Sequence, residues 1–424
     1  MATSWPTGSV TSRPDDPIAN RAPRLRWRPG AESAARVSGD VLACVMGGMN
    51  IVRPLGLAGI SCVAVARPDS PTVSSRFTRA ALLCEDAAED ADRLVEALLR
   101  FGSALPEHPV LFYEEDLQMV LVSRYRDRLA QAFRFVIANR SLIEDLVDKA
   151  RFQDLAARLD LPVPKAFRVD PAAGPAPTDL NLHFPLIVKP LTRRASWQAV
   201  GGPYKALGIA SRHMLLEMWP RFAAAGEELL IQEMIPGPET GIESYHVYVD
   251  EAGEVVGDFT GRKLRTRPAA FGHSTALTTT DAPDVEALGR SLVRRLGLRG
   301  VAKFDFKRGP DGRLHLLEVN PRFTLWHHVG AVAGMNLPAL VYADLVGLPR
   351  PPMSRARAGV NWCHVLNDFS AARASGMSVP KWLAWAWRCE AKSAVTWDDP
   401  MPVLRTLWFR CFPLRPAPAG RSAR

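Results

Sequence analysis

The sequence predicts a chain of mixed α/β and α+β class: a doubly wound parallel sheet, then a unit rich in antiparallel hairpins, then a helical extension. Three observations point there. Short apolar runs at 41–46 and 60–66 flank a glycine pair and a helical pattern, the order of a βαβ unit. Alternating segments at 244–260 and 301–319 each enclose a turn sequence, the mark of hairpins. Beyond Arg350 the composition shifts towards tryptophan and arginine.

Length and composition set the frame. At about 150 residues per domain, 424 residues make two or three domains. With 47% hydrophobic and 23% charged residues, sizeable cores can form. No run approaches the ~18 apolar residues of a membrane span. Residues 1–30 lack the apolar stretch of a secretory leader, and 1–38 reads as a mobile tail. The six cysteines include no CxxC pair, so neither a zinc site nor a disulfide framework is signalled. Reduced thiols and a cytoplasmic setting fit. The net charge of +9 suits phosphate-bearing ligands. No basic stripe interleaved with aromatics marks a nucleic-acid binder.

The elements follow in order. The run 41–46, Gly47-Gly48, a helical pattern and 60–66 form the βαβ unit. These glycines fall short of GxGxxG, so a tight turn competes with a nucleotide loop. Strands at 110–113 and 135–138 complete a first domain, 39–140. Ser141-Leu142-Ile143-Glu144 has the form of a capping box. It opens a helix that continues through Asp148-Lys149 and stops at Leu161-Pro162-Val163-Pro164. A Pro/Ala linker at 170–177 precedes a strand at 185–189, a loop at 190–203, a helix at 211–225 and a strand at 229–234. The two hairpins bracket a helix at 285–296, and a helix near 337–345 closes the unit. The expected divisions after the first domain are 141–228, 229–350 and an extension, 351–424.

The chemistry gathers on the second hairpin. Glu318 and Asn320 differ by two and share a strand face. A turn at 309–312 can fold Asp305 onto that face. Two carboxylates and an amide oxygen ending an apolar strand suit Mg2+ completed by phosphate and water. Lys189 ends another apolar strand, and the loop after it carries Arg193, Arg194, Ser196, Trp197, Gly201 and Gly202. Such a loop can lay backbone amides and cations over a polyphosphate, although it is not the GxxxxGK[ST] loop. A purely structural Lys189 stays open.

Taken together, the strings between Leu142 and Leu345 resemble the ATP-grasp superfamily in order and spacing. The resemblance implies a pre-ATP-grasp doubly wound sheet followed by a two-subdomain ATP-grasp fold. It implies ATP and two Mg2+ ions as cofactors, with Mn2+ as a substitute. Nucleotide contacts would come from Lys149, Lys189 and Ser196, and from the hinge Gln232-Glu233-Met234-Ile235. There the backbone groups of Glu233 and Ile235 would hold the adenine edge, and Glu239 would hold the ribose. Asp305, Glu318 and Asn320 would be the metal ligands. Lys303 takes the place of an arginine beside the transferring phosphate, and Arg322 would face carboxylate or phosphate. Ser74-Ser75-Arg76-Phe77 and Gly261-Arg262-Lys263-Leu264-Arg265 resemble the D-aspartate-ligase-like and carbamoyl-phosphate-synthase-like members. In that light Arg262, Lys263 and Arg265 would grip the carboxylate donor or acyl-phosphate; a solvated strand end is the competing reading. The implied reaction activates a small carboxylate, an amino acid foremost, as an acyl-phosphate and passes it to an amine. Bicarbonate activation of the biotin-carboxylase or carbamoyl-phosphate kind, and a non-catalytic ATP-binding module, are the alternatives.

His327-His328 are adjacent and so make a poor metal pair; a structural role or a substrate contact is expected. His246 lies in the first hairpin, and His273 beside Gly272 could serve as the amine's base. In the extension, Trp382, Trp385, Trp387, Trp397 and Trp408 stand among Lys381, Arg388, Lys392, Arg405 and Arg410. That is the composition of a membrane-interface element. Peripheral contact with the inner face of a membrane, or with a lipid-linked amine acceptor, competes with a packed helix or a homodimer contact. No nucleic-acid partner is expected.

Overall fold

The computed structural model describes residues 24–27, 40–84, 90–177, 181–191, 196–202, 206–269, 272–392 and 394–412. The first sheet contains β1 (Arg24–Trp27), β2 (Ala43–Met46), β3 (Cys62–Ala66), β4 (Thr78–Leu83) and β5 (Val110–Tyr113), in the order β1-β4-β3-β2-β5. Helix α1 (Met49–Leu57) links β2 to β3, and α2 (Ala91–Ser103) links β4 to β5. Strands β2 to β5 run parallel, and β2 and β5 are buried along their whole length. Parallel strands covered on both faces need such continuous apolar runs. Strand β1 falls inside the stretch read as a tail, yet it pairs antiparallel with β4.

The glycine turn has a steric cause. A Cβ on Gly47 would sit 3.1 Å from both Cβ and Oε2 of Glu114. The Gly48 amide donates to that Oε2 at 2.6 Å. The expected strand at 135–138 does not form. Arg134 makes a single bridge with Val110, and the chain then leaves the sheet. The Tyr113 hydroxyl donates to the Val136 carbonyl at 2.9 Å and holds it there.

Helices α3 (Asp116–Arg124) and α4 (Arg126–Leu129) lead to α5 (Arg140–Val147) and α6 (Lys149–Arg158). The single helix read through Asp148 is therefore two. Asp148 is extended, and its carboxylate accepts from the amides of Ala150 and Arg151, capping α6. Asn139, not the Ser141 box, caps α5 by accepting from the Leu142 amide.

A four-stranded antiparallel sheet follows: β6 (Ala166–Val169), β7 (Leu186–Pro190), β8 (Leu207–Ile209) and β9 (Leu229–Glu233), ordered β6-β9-β7-β8. Helices α7 (Ser196–Gly201) and α8 (Arg212–Ala225) cover it. The 190–203 loop thus contains a helix whose Trp197 is fully buried, stacked parallel to Phe222 at 6.5 Å. Arg193 and Arg194 lie outside the described residues.

The largest sheet has β10 (Ile242–Val249), β11 (Val255–Arg267) and β12 (His273–Thr280), then β13 (Gly300–Arg308) and β14 (Leu314–Asn320) after α9 (Pro283–Leu296). Helices α10 (His327–Ala333) and α11 (Leu337–Val346) follow. One face of this sheet buries Tyr245, Val247, Phe304 and Phe306 in a core shared with Leu142, Ile143 and the first sheet. The other face packs Tyr248, Phe259, Leu277 and Val301 under Phe323, Trp326 and α11 in a second core, and carries polar groups beside it.

The extension is helical, as expected, in α12 (Val365–Ala374), α13 (Val379–Arg388) and α14 (Met401–Cys411). It also adds two strands, β15 (Asn361–Cys363) and β16 (Ala391–Lys392), giving a seven-stranded order β14-β13-β10-β11-β12-β15-β16. Asp368 on α12 is fully buried. It accepts a two-pronged bond from Arg265 at 2.8 and 2.7 Å, and single bonds from the Thr275 hydroxyl and the Trp382 indole. The Arg265 guanidinium lies 4.0 Å over the Trp385 ring. Arg265 therefore locks the extension to β11 and is not part of a substrate-gripping cluster. A buried acid with all its partners in place is costly to break from one side only. Asp368→Asn is expected to lower stability by about 3–5 kcal/mol, read as a shift in the urea midpoint; an unchanged midpoint would remove this lock from the account.

Candidate active site

Cross-strand register builds the site. Asp305 stands opposite Glu318, and Lys303 opposite Asn320, across β13 and β14. On the other side of β13, Ser244 faces Asp305 and His246 faces Lys303. Directly opposed residues share a sheet face. So Ser244, His246, Lys303, Asp305, Glu318 and Asn320 all lie on the polar face, as the hairpin reading required for the three metal candidates.

Asp305 is the buried centre. Its Oδ1 accepts from the Ser244 hydroxyl at 2.5 Å. Its Oδ2 lies 2.7 Å from the Lys303 ammonium and 3.5 Å from that of Lys263. Burial would raise the Asp305 carboxyl, but the two lysines outweigh it and hold the group far below the usual carboxylate range. Lys263 responds in kind. Burial alone would depress it, and Asp305, Glu318 and Glu239 together keep it above the ordinary lysine value.

Glu318 is 57% exposed, 3.8 Å from Lys303, and accepts from the Asn320 side-chain amide at 3.1 Å. Lys189 approaches from the four-stranded sheet, its ammonium donating to Gln232 Oε1 at 3.0 Å. Burial depresses the Lys189 amine, and Glu318 opposes that shift, so charge from the two sheets meets across one cleft. Lys149, first in α6, donates to the carbonyls of Pro190 and Leu191 and so tethers that helix to the end of β7.

Other candidates fall differently. The Glu233 side chain binds the amide and ring of His183, leaving only its backbone for a ligand. Met234 donates its amide to the Pro185 carbonyl, while the Ile235 amide makes no backbone bond among the described residues. Ser196 is the first residue of α7, and its hydroxyl is bound by the buried Glu227, so it stands in a helix and not in an open loop. Arg262 is opposite Glu243, which binds Arg308 on the far face. Strand alternation thus turns Arg262 away from Asp305 while Lys263 points at it. Arg322 is drawn to the first domain. It donates to Asp116 at 2.5 Å and to the Glu114 carbonyl at 2.7 Å, with a longer bond to Asn320 Oδ1. It is placed to brace the site, not to face a substrate. His273 pairs with Arg267, six residues along β11 from Gly261, the partner of Ser244, so it is not brought to the site.

Sequence reasoning missed Lys307 and Ser244. Lys307 is two residues beyond Asp305, is largely buried, and interacts with Glu239 and Lys263. Burial lowers its amine and Glu239 opposes the shift. The i, i+2 rule that selected Glu318 and Asn320 would have found it. Four ammonium groups, Lys189, Lys263, Lys303 and Lys307, therefore surround three carboxylates, Asp305, Glu318 and Glu239. The excess positive charge, with Asp305 Oδ2 buried and lacking an aligned hydrogen bond, suits an anion accompanied by a cation.

These features can be set beside known proteins. Residues 225–365 match the family model described as ATP-grasp in the biosynthetic pathway with Ter operon. Solved structures share the architecture. The L-amino acid ligase of Bacillus licheniformis superposes with a TM-score of 0.54 at 13% identity, over 72% of this chain and 74% of that one. An N5-carboxyaminoimidazole ribonucleotide synthetase in complex with ADP gives 0.57 at 13% identity, over 76% and 80%. Over residues 225–365 the chain is similar to ATP-grasp proteins. Among curated relatives, the chain is 27% identical to the D-aspartate ligase of Enterococcus faecium over 236 residues, 53% of this chain and 56% of that one. It is 33% identical to a D-alanine–D-alanine ligase of Desulfovibrio desulfuricans over 154 residues, 33% and 45% of the two chains. It thus spans about half the length of the curated relatives it matches.

The histidines of the polar face are apolar-core residues in their surroundings. His246 is stacked on Phe259 at 4.5 Å and lies 4.7 Å from Trp326. His327 and His328 open α10, and both are buried. Burial drives each of these two down to about 3. Arg53 donates to His328 Nε2 at 3.4 Å, which requires that nitrogen to be unprotonated. The sign of the linkage follows. The unfolded chain takes up protons below pH ~6.5 that the folded chain refuses until about pH 3, so stability falls as pH drops through that window. At pH 5 the two groups should cost about 4 kcal/mol together. Urea midpoints compared at pH 7 and pH 5, with His327→Gln recovering about 2 kcal/mol of the loss, would check this; a flat profile would contradict it.

Proposed function

We propose that this protein is an ADP-forming ligase of the ATP-grasp kind that activates a small carboxylate, an amino acid foremost, as an acyl-phosphate and joins it to an amine. The observation that carries the reading is the convergence of Lys189, Lys263 and Lys303 on the Asp305–Glu318 pair, from two sheets. The relatives named D-aspartate ligase and D-alanine–D-alanine ligase, and the structural likeness to an L-amino acid ligase, support it.

In this reading Lys149 and Lys189 hold the nucleotide phosphates. The Glu233 carbonyl and Ile235 amide meet the adenine edge, and Glu239, steadied by Lys307, takes the ribose hydroxyls. Asp305, Glu318 and Asn320 would hold two Mg2+ ions, which neutralise charge on the β- and γ-phosphates when bound. The substrate carboxylate attacks the γ-phosphorus, forming the O–P bond as the bond to ADP breaks. Lys263 and Lys303 stabilise the charge that builds on the transferring group, so catalysis is positioning and electrostatics. The amine then attacks the acyl carbon, and phosphate leaves with the C–O bond electrons. Lys303 stands 2.7 Å from Asp305, and with a cation on that carboxylate its ammonium would be free for the transferring phosphate.

The test is hydroxamate formation from ATP–Mg2+ and hydroxylamine over a panel of amino acids and hydroxy acids, because hydroxylamine traps an acyl-phosphate without knowledge of the natural amine. The expected result is one or a few acids that yield hydroxamate with matching ADP, reduced about a hundredfold or more in Glu318→Gln. ADP release with bicarbonate alone, or tight ATP binding with no turnover on the whole panel, would overturn the ligase reading.

A further inference from the structure

Helix α14 is held to the first domain on one side and leaves its apolar residues uncovered on the other. The hold is specific. Asp399 accepts from the Ser75 hydroxyl at 2.5 Å and the Arg76 amide at 3.0 Å. Asp398 receives a two-pronged bond from the buried Arg53 at 2.9 and 3.0 Å. Arg405 donates to the Pro68 carbonyl. Yet Trp397, between these anchors and the preceding strand, is 90% exposed, and Trp408 and Phe412 are each 60% exposed. Met401, Leu404, Trp408 and Phe412 recur at helical spacing and form one exposed stripe, to which Leu407 adds. The Trp408 and Phe412 rings lie against one another, centroids 4.6 Å apart and planes tilted by 38°.

Three coverings can be weighed on chemistry. The stretches outside the described residues on either side of β1 and after α14, 1–23, 28–39 and 413–424, contribute Met1, Trp5, Val10, Ile18, Val37 and Leu414 as large apolar side chains, scattered singly among prolines and polar residues with no helical or strand period to match the stripe. A second copy of the chain would set like charges together: residues 400–424 contain Arg405, Arg410, Arg415, Arg421 and Arg424 and no acid. A layer of anionic headgroups over hydrocarbon complements both features, taking the aromatic side chains at the interface and the arginines at the phosphates. We propose that α14, with Trp397, Arg410 and Phe412, docks the protein on an anionic lipid surface as a peripheral contact. No single helix among the described residues is long and apolar enough to cross a membrane, so the contact lies along the surface. The proposal goes beyond the ligase reading and does not depend on it.

The test is sedimentation of the full chain with vesicles of phosphatidylcholine alone or mixed with phosphatidylglycerol. The protein should pellet with the mixed vesicles and not the neutral ones, and the partition should weaken as salt rises. The triple change Leu404→Ser, Trp408→Ser, Phe412→Ser should lower the partition coefficient at least about tenfold. Arg410→Gln should lower it about fivefold. Because these side chains are exposed, the variants should keep the wild-type melting temperature and nucleotide binding, which separates lost docking from lost folding. Equal pelleting of wild type and triple variant, no pelleting with the mixed vesicles, or a wild-type dimer in solution that the triple change dissolves, would each overturn the proposal.

Discussion

The site depends on one buried carboxylate. Asp305 has almost no exposure, and an ionised acid in such a place is tolerated only when cations and hydrogen bonds compensate it. Lys263 and Lys303 supply the cations and Ser244 the hydrogen bond. Each comes from a different position on three adjacent strands, so the register of β10, β11 and β13 is tied to this contact. That arrangement also concentrates positive charge towards the open side of Glu318. A ligand carrying several phosphates and accompanied by a cation fits it, because the cation can take over Asp305 and free a lysine for the phosphate.

Around this centre, polar ties join parts of the chain far apart in sequence. Arg322, two residues past Asn320, reaches Asp116 and the Glu114 carbonyl at the end of β5. Arg53 in α1 reaches both His328 and Asp398. Arg265, two residues past Lys263, reaches Asp368. The first sheet, the seven-stranded sheet and the extension are therefore coupled next to the residues expected to handle phosphate. Breaks in β11 register fall on either side of Arg265, which lets Lys263 and Arg265 serve different partners so close together.

What could be read beforehand had a local cause. The hairpin bearing Asp305 and Glu318 was legible because alternation with period two and a Gly–Pro–Asp–Gly turn lie within sixteen residues of chain. The parallel strands were legible as unbroken apolar runs. What escaped was set by distance or by a single backbone choice. Arg262, Lys263 and Arg265 look like one basic cluster in sequence, but alternation sends the first to the opposite face, and a partner 103 residues away claims the last. The break at Asp148 is invisible to apolar periodicity, which runs on through it; only the extended conformation of that residue separates α5 from α6. Strands β1, β15 and β16 are two to four residues long and gain their place only by pairing with a sheet formed elsewhere.

The central claim is that the Asp305–Glu318 pair receives a cation together with a nucleotide. Electron paramagnetic resonance of Mn2+ tests it most directly, in the presence and absence of ADP, on the wild type and on Glu318→Gln. Glu318 is the side chain to change, since it is exposed and its replacement leaves the buried Asp305 contacts intact. The account predicts that ADP converts free Mn2+ into a bound signal in the wild type and that the bound fraction falls sharply in the variant. Nucleotide binding of equal strength without any divalent ion, or a bound signal unchanged by Glu318→Gln, would contradict it.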